Sequence, residues 1–523
     1  MQRLRDIQGL MGDGRGGIAT MDDGYVLTVD NLLKMISILM RLKVTLPVII
    51  MGETGCGKSS LIRNMCGILG FVLRTLNVHG GMVDDDIVAW TAIEVDRANR
   101  MPHENIVVFY DEVNTCNCMG LFREIVCDRC LNGVPIPPNL KIIAACNPYR
   151  LRAANNSLYG NKEMAGLVFE QHERGLGENV GTGIKDPLRN LVYRVHPLPE
   201  SMIDHIFDFG ALKDSTEKLY IHAIIKSQLK SEFEANSARP AAEAEPTANF
   251  YSAWTSSWAN EESDFDDFVD VFTELVCAAQ ECIRKLSGGE RSAASLRDVR
   301  RSCIVFKFFG AHFYENRHYS KRWDLSDFYA LRPVARTVVR KSLILSLAFC
   351  YHARLPRNER TILVRVICSA WRELQSTYFY AETGAADFGD YQDAMYGPSG
   401  WPGKCEWLML ETVTPFETTL SETQRQFTRE FNVGEGIALN EALCENMFMI
   451  LVSTLNQIPI FVVGKPGSSK SFAMGLIEQN LNGSASDTAF LKSLPAVEGL
   501  YVFLQTPLRA IFLSFSCVID LLN

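Results

Sequence analysis

The stretch Leu46 to Ser59, "LPVIIMGETGCGKS", limits what this chain can fold into more than any other. A short apolar run closes on Gly52, G-x-x-x-x-G-K-S matches at every constrained position, and the helical "SLIRNMCGIL" follows it. Four to eight apolar residues bounded by a turn signal read as a strand buried on both faces of a parallel sheet. Glycines in the turn let backbone N–H groups curl inward with no Cβ in the way, and a helix N-terminus behind them favours anions. The pattern therefore reads as a phosphate cradle between strand and helix. Its candidate nucleotide-binding residues are Gly52, Glu53, Thr54, Gly55, Cys56, Gly57, Lys58, Ser59 and Ser60. Lys58 is placed to reach the β- and γ-phosphates and Ser59 to ligate Mg²⁺, so ATP and Mg²⁺ are the expected ligands. A chance match in a chain of this length is about a 2% event, taking glycine at about 7% of residues.

A cradle alone binds; turnover needs more. "NIVVFYDEVNT" supplies a second apolar strand, and an acidic residue at the C-terminal end of a parallel strand faces the crevice where ligands bind. Asp111 is expected to hold Mg²⁺ through water, and Glu112 to orient and polarise an attacking water. A plain loop start competes with this reading but weakens beside a complete cradle. A third strand, "KIIAACNPYR", ends at Asn147, whose amide suits a hydrogen bond to the γ-phosphate or the water, against the alternative of an ordinary Asn-Pro turn. Phosphoryl transfer rests on positioning and charge, so this sparse set suffices.

The pattern recurs. Ile458 to Ser471, "IPIFVVGKPGSSKS", repeats Pro47, Gly52 and Lys58 as Pro459, Gly464 and Lys470 at a constant offset of 412. Each copy follows a helical apolar stretch, "MISILM" and "MFMILVSTL". A period this long is a repeated module, far above solenoid periods. Gly464, Gly467, Ser469, Lys470 and Ser471 are the candidate contacts of the second loop, with Ser469 replacing the usual glycine before the lysine. The expectation is one complete module and the start of another, cut from a longer chain, because no strand ending in Asp-Glu follows the second loop.

At 523 residues about three or four domains are expected. A net charge of −9 argues against a dedicated nucleic-acid binder. The local basic run "SKRWDLSDFYALRPVARTVVRK" reads better as a solvated helix face. Fifteen scattered cysteines without a signal peptide suggest free thiols and a cytoplasmic setting. Cys116, Cys118, Cys127 and Cys130 have spacings zinc can use, but ordinary thiols are the preferred reading. The longest apolar run, "AIFLSFSCVIDLL", is too short to span a bilayer and contains Asp520. "EFEANSARPAAEAEPTANF" reads as a flexible insertion, and Phe265 to Leu286 and Val334 to Ile367 as helical.

"GETGCGKS", "FYDEVNT" and "AACNPYR" together resemble an AAA+ ATPase module of the branch that includes dynein and midasin. "DEVNTCNCMGLFREIVCDR", "LVYRVHPLPESM", "SLRDVRR" and "VGKPGSSKS" are similar to the central modules of the mysterin type, the giant dynein-like AAA+ ubiquitin ligases. That resemblance implies an α/β P-loop NTPase core, a parallel sheet flanked by helices, with a helical lid and the N-terminal part of a second AAA+ module. It implies ATP binding and hydrolysis that couple nucleotide state to conformation, with neighbouring modules of the same chain as partners. Ubiquitin machinery would be engaged only through domains these residues lack. A regulatory module with little turnover, or a dynein- or midasin-like mechanical segment, are the alternatives. Arg297, in "SAASLRDVRR", is implied as a γ-phosphate contact from the lid. "KDPLRNLVYRVHPLP" is expected to form the last core strand, with Arg189 as arginine finger and Arg194 as second choice. The implied division is a flexible segment over 1–30, a large α/β subdomain over 31–200 and a lid over 201–355 with its insertion near 232–262. A helical connector over 356–435 and a truncated second module over 436–523 complete it.

Overall fold

The computed structural model describes residues 25–150, 191–210, 212–237, 261–316, 328–383, 408, 410, 412–434, 437–463, 469–492 and 494–497. They divide into two units, the first reaching to Tyr220 and the second beginning at Ile221.

The first unit is built on alternation. Strands β1 (Ile49–Gly52), β2 (Val72–Asn77), β3 (Ile106–Asp111), β6 (Leu140–Cys146) and β7 (Ile206–Gly210) form one parallel sheet in the order β2–β3–β6–β1–β7. Between β3 and β6, the short strands β4 (Cys130–Leu131) and β5 (Val134–Pro135) make a separate antiparallel hairpin. Its turn is Asn132-Gly133, both at positive φ, the backbone a two-residue hairpin requires.

Within the central strands, successive side chains enter opposite cores, as a period of two dictates. Ile106, Val108, Tyr110, Ile142, Ala144 and Cys146 face one layer, with Ile87, Phe122 and Ile125. Val107, Phe109, Ile143, Ala145, Val48 and Ile50 face the other. Helices α1 (Val29–Lys43) and α2 (Lys58–Leu69) cover this second face through Met35, Ile38, Leu39, Leu61, Ile62 and Met65. The first face is covered by α3 (Asp84–Arg100) and α4 (Met119–Arg123). Two helices complete the order: the short α5 (Glu200–Ile203) precedes β7, and the long α6 (Asp214–Ser237) follows it. Both faces being buried explains the near-continuous apolar runs of β3 and β6.

The last strand is Ile206–Gly210, not the expected "LVYRVHPLP". Residues 192–199 hold no strand, and Pro197 and Pro199 have no N–H to donate to a ladder. The insertion expected to begin near residue 232 is preceded by helix as far as Ser237, and helix resumes at Glu261. Residues 1–24 and "AIFLSFSCVIDLL" lie outside the described residues.

The second unit is helical: α7 (Glu261–Leu286), α8 (Leu296–Asn316), α9 (Phe328–Leu347), α10 (Arg357–Thr383), α11 (Val413–Arg429), α12 (Glu441–Leu455), α13 (Lys470–Asn480) and α14 (Ala489–Lys492). Its core includes Phe268, Phe272, Phe306, Phe309, Leu363 and Phe416. The stretch Val334 to Ile367 is two helices, because the chain turns after a π-type turn at Ala348–His352.

The repeat is visible in the backbone. Thr28 caps α1 by accepting from the amide of Asn31, and Asn440 caps α12 by accepting from that of Leu443. Left-handed residues recur as Thr45 and Gln457, then as Gly57 and Ser469, all at the offset of 412. One element differs. Residues 458–463 form no strand among the described residues, and Phe461 is 92% exposed, whereas Ile49 in β1 is fully buried between β6 and β7.

Candidate functional site

The cradle begins where β1 ends. A Cβ on Gly52 would meet the Cβ of Phe209 at 3.0 Å and the sulfur of Cys56 at 3.1 Å, so the close approach of β7 and the loop excludes a side chain there. Gly57 sits at φ 95° and starts α2 without a side-chain cap, leaving the N–H groups of the first turn directed out of the helix end. Burial pushes the Cys56 thiol up, so it stays protonated and serves as packing.

Lys58 is buried, and its ammonium donates to the carbonyls of Gly52 (2.5 Å) and Glu53 (3.0 Å) and to Oδ1 of Asn147 (3.3 Å). The Ser59 hydroxyl donates to Oδ2 of Asp111 at 2.5 Å. Nδ2 of Asn147 donates to Oε1 of Glu112 at 3.5 Å, and the Thr54 hydroxyl donates to Oδ1 of Asn147 at 3.4 Å. Five residues expected from the motifs, Lys58, Ser59, Asp111, Glu112 and Asn147, thus converge at the C-terminal ends of β1, β3 and β6. The strand order makes that convergence possible, because β6 lies between β1 and β3.

Glu112 adopts φ 60°, ψ 39°, a left-handed conformation that costs a residue with a side chain roughly 1–2 kcal/mol. Its carbonyl is held by the amide (3.0 Å) and hydroxyl (2.8 Å) of Thr115, and that hydroxyl also reaches the carbonyl of Val78. Strain held by surrounding bonds beside a cradle is the pattern of a functional position.

A serine hydroxyl against an aspartate is a pair of hard oxygen donors, which suits Mg²⁺ that keeps several of its waters. A buried ammonium bonded to carbonyls and an amide oxygen, beside uncapped helix N–H groups, suits a polyphosphate.

Several expectations fall elsewhere. Arg189, Gly464 and Gly467 lie outside the described residues. Arg194 is exposed on the segment before α5. Arg297 is exposed in the first turn of α8, in the second unit; its neighbour Asp298 is the buried residue, paired with Arg301 (3.2 Å) and Arg354 (2.7 Å). Ser469, Lys470 and Ser471 open α13 as Gly57, Lys58 and Ser59 open α2. No cluster of metal-ligating side chains occurs among the described residues; Cys116 and Cys118 are buried, and Cys127 and Cys130 half-buried, as free thiols. No helix among those residues is long and apolar enough to cross a membrane.

Three residues that sequence reading did not single out complete the arrangement. Asn114 is buried and brackets the backbone of Asn147, donating to its carbonyl at 2.8 Å and accepting from its amide at 3.2 Å. The hydroxyl of Tyr193 donates to Glu53, and Arg150 pairs with the same carboxylate at 2.9 Å. Asn114 and Arg150 lie inside quoted motifs, but nothing in spacing marks them. Tyr193 is 140 residues from its partner, and only the fold joins them.

Family models described as RNF213 AAA domains match residues 25–150 and residues 436–507. The chain is 32% identical over 487 residues to the E3 ubiquitin-protein ligase RNF213 of Homo sapiens, and 32% over 486 residues to E3 ubiquitin-protein ligase rnf213-beta of Danio rerio. The Mus musculus RNF213 is 31% identical over 487 residues. Each alignment covers 91% of this chain but only 8% of the relative's length. With its parallel α/β core and two matched AAA stretches, the chain belongs to the mysterin (RNF213) type of AAA+ proteins.

Proposed function

We propose that the first unit binds and hydrolyses Mg-ATP as one AAA+ module of an RNF213-like protein. The observation that carries this reading is the Asn147 amide, which touches both the cradle lysine and Glu112 while Ser59 touches Asp111. Lys58 and the N–H groups of the loop and α2 neutralise and orient the phosphates. Ser59 and Asp111 would hold the metal. Mg²⁺, when bound, offsets charge on the phosphate oxygens. Glu112 polarises the attacking water and accepts its proton, and Asn147 fixes both water and terminal phosphate in line. Arg189 or Arg194 serves a neighbouring module as finger, and Arg297 contacts the γ-phosphate from the helical part.

Nucleotide state in turn biases contacts with adjacent modules in a cytoplasmic protein. Ubiquitin transfer, which the relatives' names state, resides in other segments of such a protein. For the second loop the narrower reading is nucleotide holding with little turnover, favoured by Ser469 occupying the left-handed position that glycine fills in the first.

Mg-ATP binding and turnover by the full chain, beside Glu112→Gln and Lys58→Ala, tests this. Glu112→Gln is expected to bind and lose roughly 10²–10⁴-fold in turnover, the usual contribution of a positioned base, while Lys58→Ala loses binding. Tight binding without turnover by the parent chain would move the first unit to the regulatory reading. No binding by folded chain would refute the site.

A further inference from the structure

We infer that Tyr193 is a positioning residue for phosphoryl transfer, acting with Glu53 and Arg150 as a clasp that sets the shoulder of the phosphate loop; this rests on the ATPase reading above. The segment around Tyr193 is far from the loop in sequence and carries none of its motif. Yet its hydroxyl donates to Oε2 of Glu53 and accepts the backbone N–H of Thr54 at 3.4 Å. The other carboxylate oxygen of Glu53 takes Nη1 of Arg150 at 2.9 Å, and the Arg150 carbonyl accepts the amide of Val192 at 2.8 Å. The chain of contacts closes on itself: segment 192–193, the residue that follows β6 by four, and the second and third residues of the cradle.

The clasp reaches the chemistry through bonds already described. The Glu53 carbonyl holds the Lys58 ammonium, and the Thr54 hydroxyl meets Asn147, which meets Glu112. A phenol that donates to a carboxylate becomes a better acceptor, so the Glu53 bond strengthens the hold on the Thr54 amide. Phosphate is bound mainly from the other end of the loop, by the α2 N-terminus and Lys58. The clasp sits instead on the side of Thr54, Asn147 and Glu112, where water is oriented. Its loss is therefore expected in turnover more than in affinity. The same bonds anchor the residue that Arg194 follows, so the exposed arginine projects from a fixed base.

The test uses the full chain with Tyr193→Phe, which keeps the ring and removes only the hydroxyl, and Glu53→Ala alone and combined with it. Amide hydrogen exchange on the nucleotide-free chain reads the clasp without catalysis. Exchange in the peptide containing Thr54 is expected to quicken about three- to tenfold in Tyr193→Phe, the ratio that one neutral hydrogen bond is worth. Mg-ATP turnover is expected to fall by a similar factor while the nucleotide Kd moves less than about twofold, and the double variant to match the larger single effect. Unchanged exchange at Thr54, unchanged turnover, or a Kd that weakens in step with turnover would each overturn the inference. A parent chain that binds no Mg-ATP refutes the ATPase reading and the catalytic role with it, whereas the exchange result reports the clasp in either case.

Discussion

Replacing Asn114 with alanine isolates what joins β3 and β6 at their C-terminal ends. The Asn114 side chain satisfies both backbone groups of Asn147, at 2.8 and 3.2 Å, and both residues are buried. Removing it leaves a buried N–H and a buried C=O without those partners, each costing about 1–3 kcal/mol, so the sheet should lose about 2–6 kcal/mol. The carbonyl of Asn114 accepts from His196, a bond that the substitution leaves in place. Asn114→Asp is the discriminating companion: it keeps the acceptor for the Asn147 amide but turns a donor into a carboxylate oxygen facing a carbonyl. It should cost at least as much as alanine above pH 6. Amide exchange of the β3 and β6 peptides, followed against urea, measures the opening free energy of this sheet separately from that of the helical unit. Turnover should fall with it, because Asn147 loses its placement relative to Lys58 and Glu112. A change below about 0.5 kcal/mol in either variant would refute the argument that Asn114 secures the strand end.

Further outcomes follow from the packing elsewhere. His312 stacks on Phe308 (6.2 Å between centroids), lies 4.7 Å from Phe427 and 5.4 Å from Phe490, and burial lowers its pKa to about 4. Since the folded value lies below the ordinary 6.5, this histidine's contribution is complete above pH 6.5 and is lost as pH falls towards 4. Each pH unit in that window removes about 1.4 kcal/mol, about 3 kcal/mol in all. In urea titrations at pH 7 and pH 4, the helical unit of His312→Phe should lose about that much less than the parent. Glu94, 1% exposed, accepts from Nε of Arg74 and of Arg97, each at 3.0 Å. Replacing both arginines with alanine should cost about 3–5 kcal/mol, and adding Glu94→Leu should recover most of it; the reverse order of stabilities by denaturant unfolding would refute a structural role for that cluster.

The cradle was legible because its signal is local. Gly52 to Ser59 carry their backbone requirements in adjacent residues, and Asp111, Glu112 and Asn147 each end a short apolar run whose burial on both faces leaves little but a parallel strand to form. The last strand was less legible for the opposite reason. Ile206–Gly210 is an edge strand, only Phe209 of it is buried, and Asp208 interrupts its apolar pattern. The more apolar "LVYRV" instead packs Leu191 and Val195 into the core without joining the ladder. Apolarity reports burial, and burial alone does not specify pairing. The second copy makes the same point, since Ile458–Val463 repeats the pattern of β1 without forming a strand among the described residues.

The sequence by itself determined the elements whose causes lie within a few residues: the loop, the helix behind it, the buried strands and the repeat at an offset of 412. Hydrogen-bond geometry and side-chain period act at that range. Only the tertiary structure decided that β6 would lie between β1 and β3, bringing Asn147 between Lys58 and Glu112. It alone decided that Asn114 would bracket a strand end 33 residues away and that Tyr193 would close on Glu53 across 140. A polar side chain carries no mark of its partner; packing of the whole sheet sets which donors and acceptors meet once water is excluded.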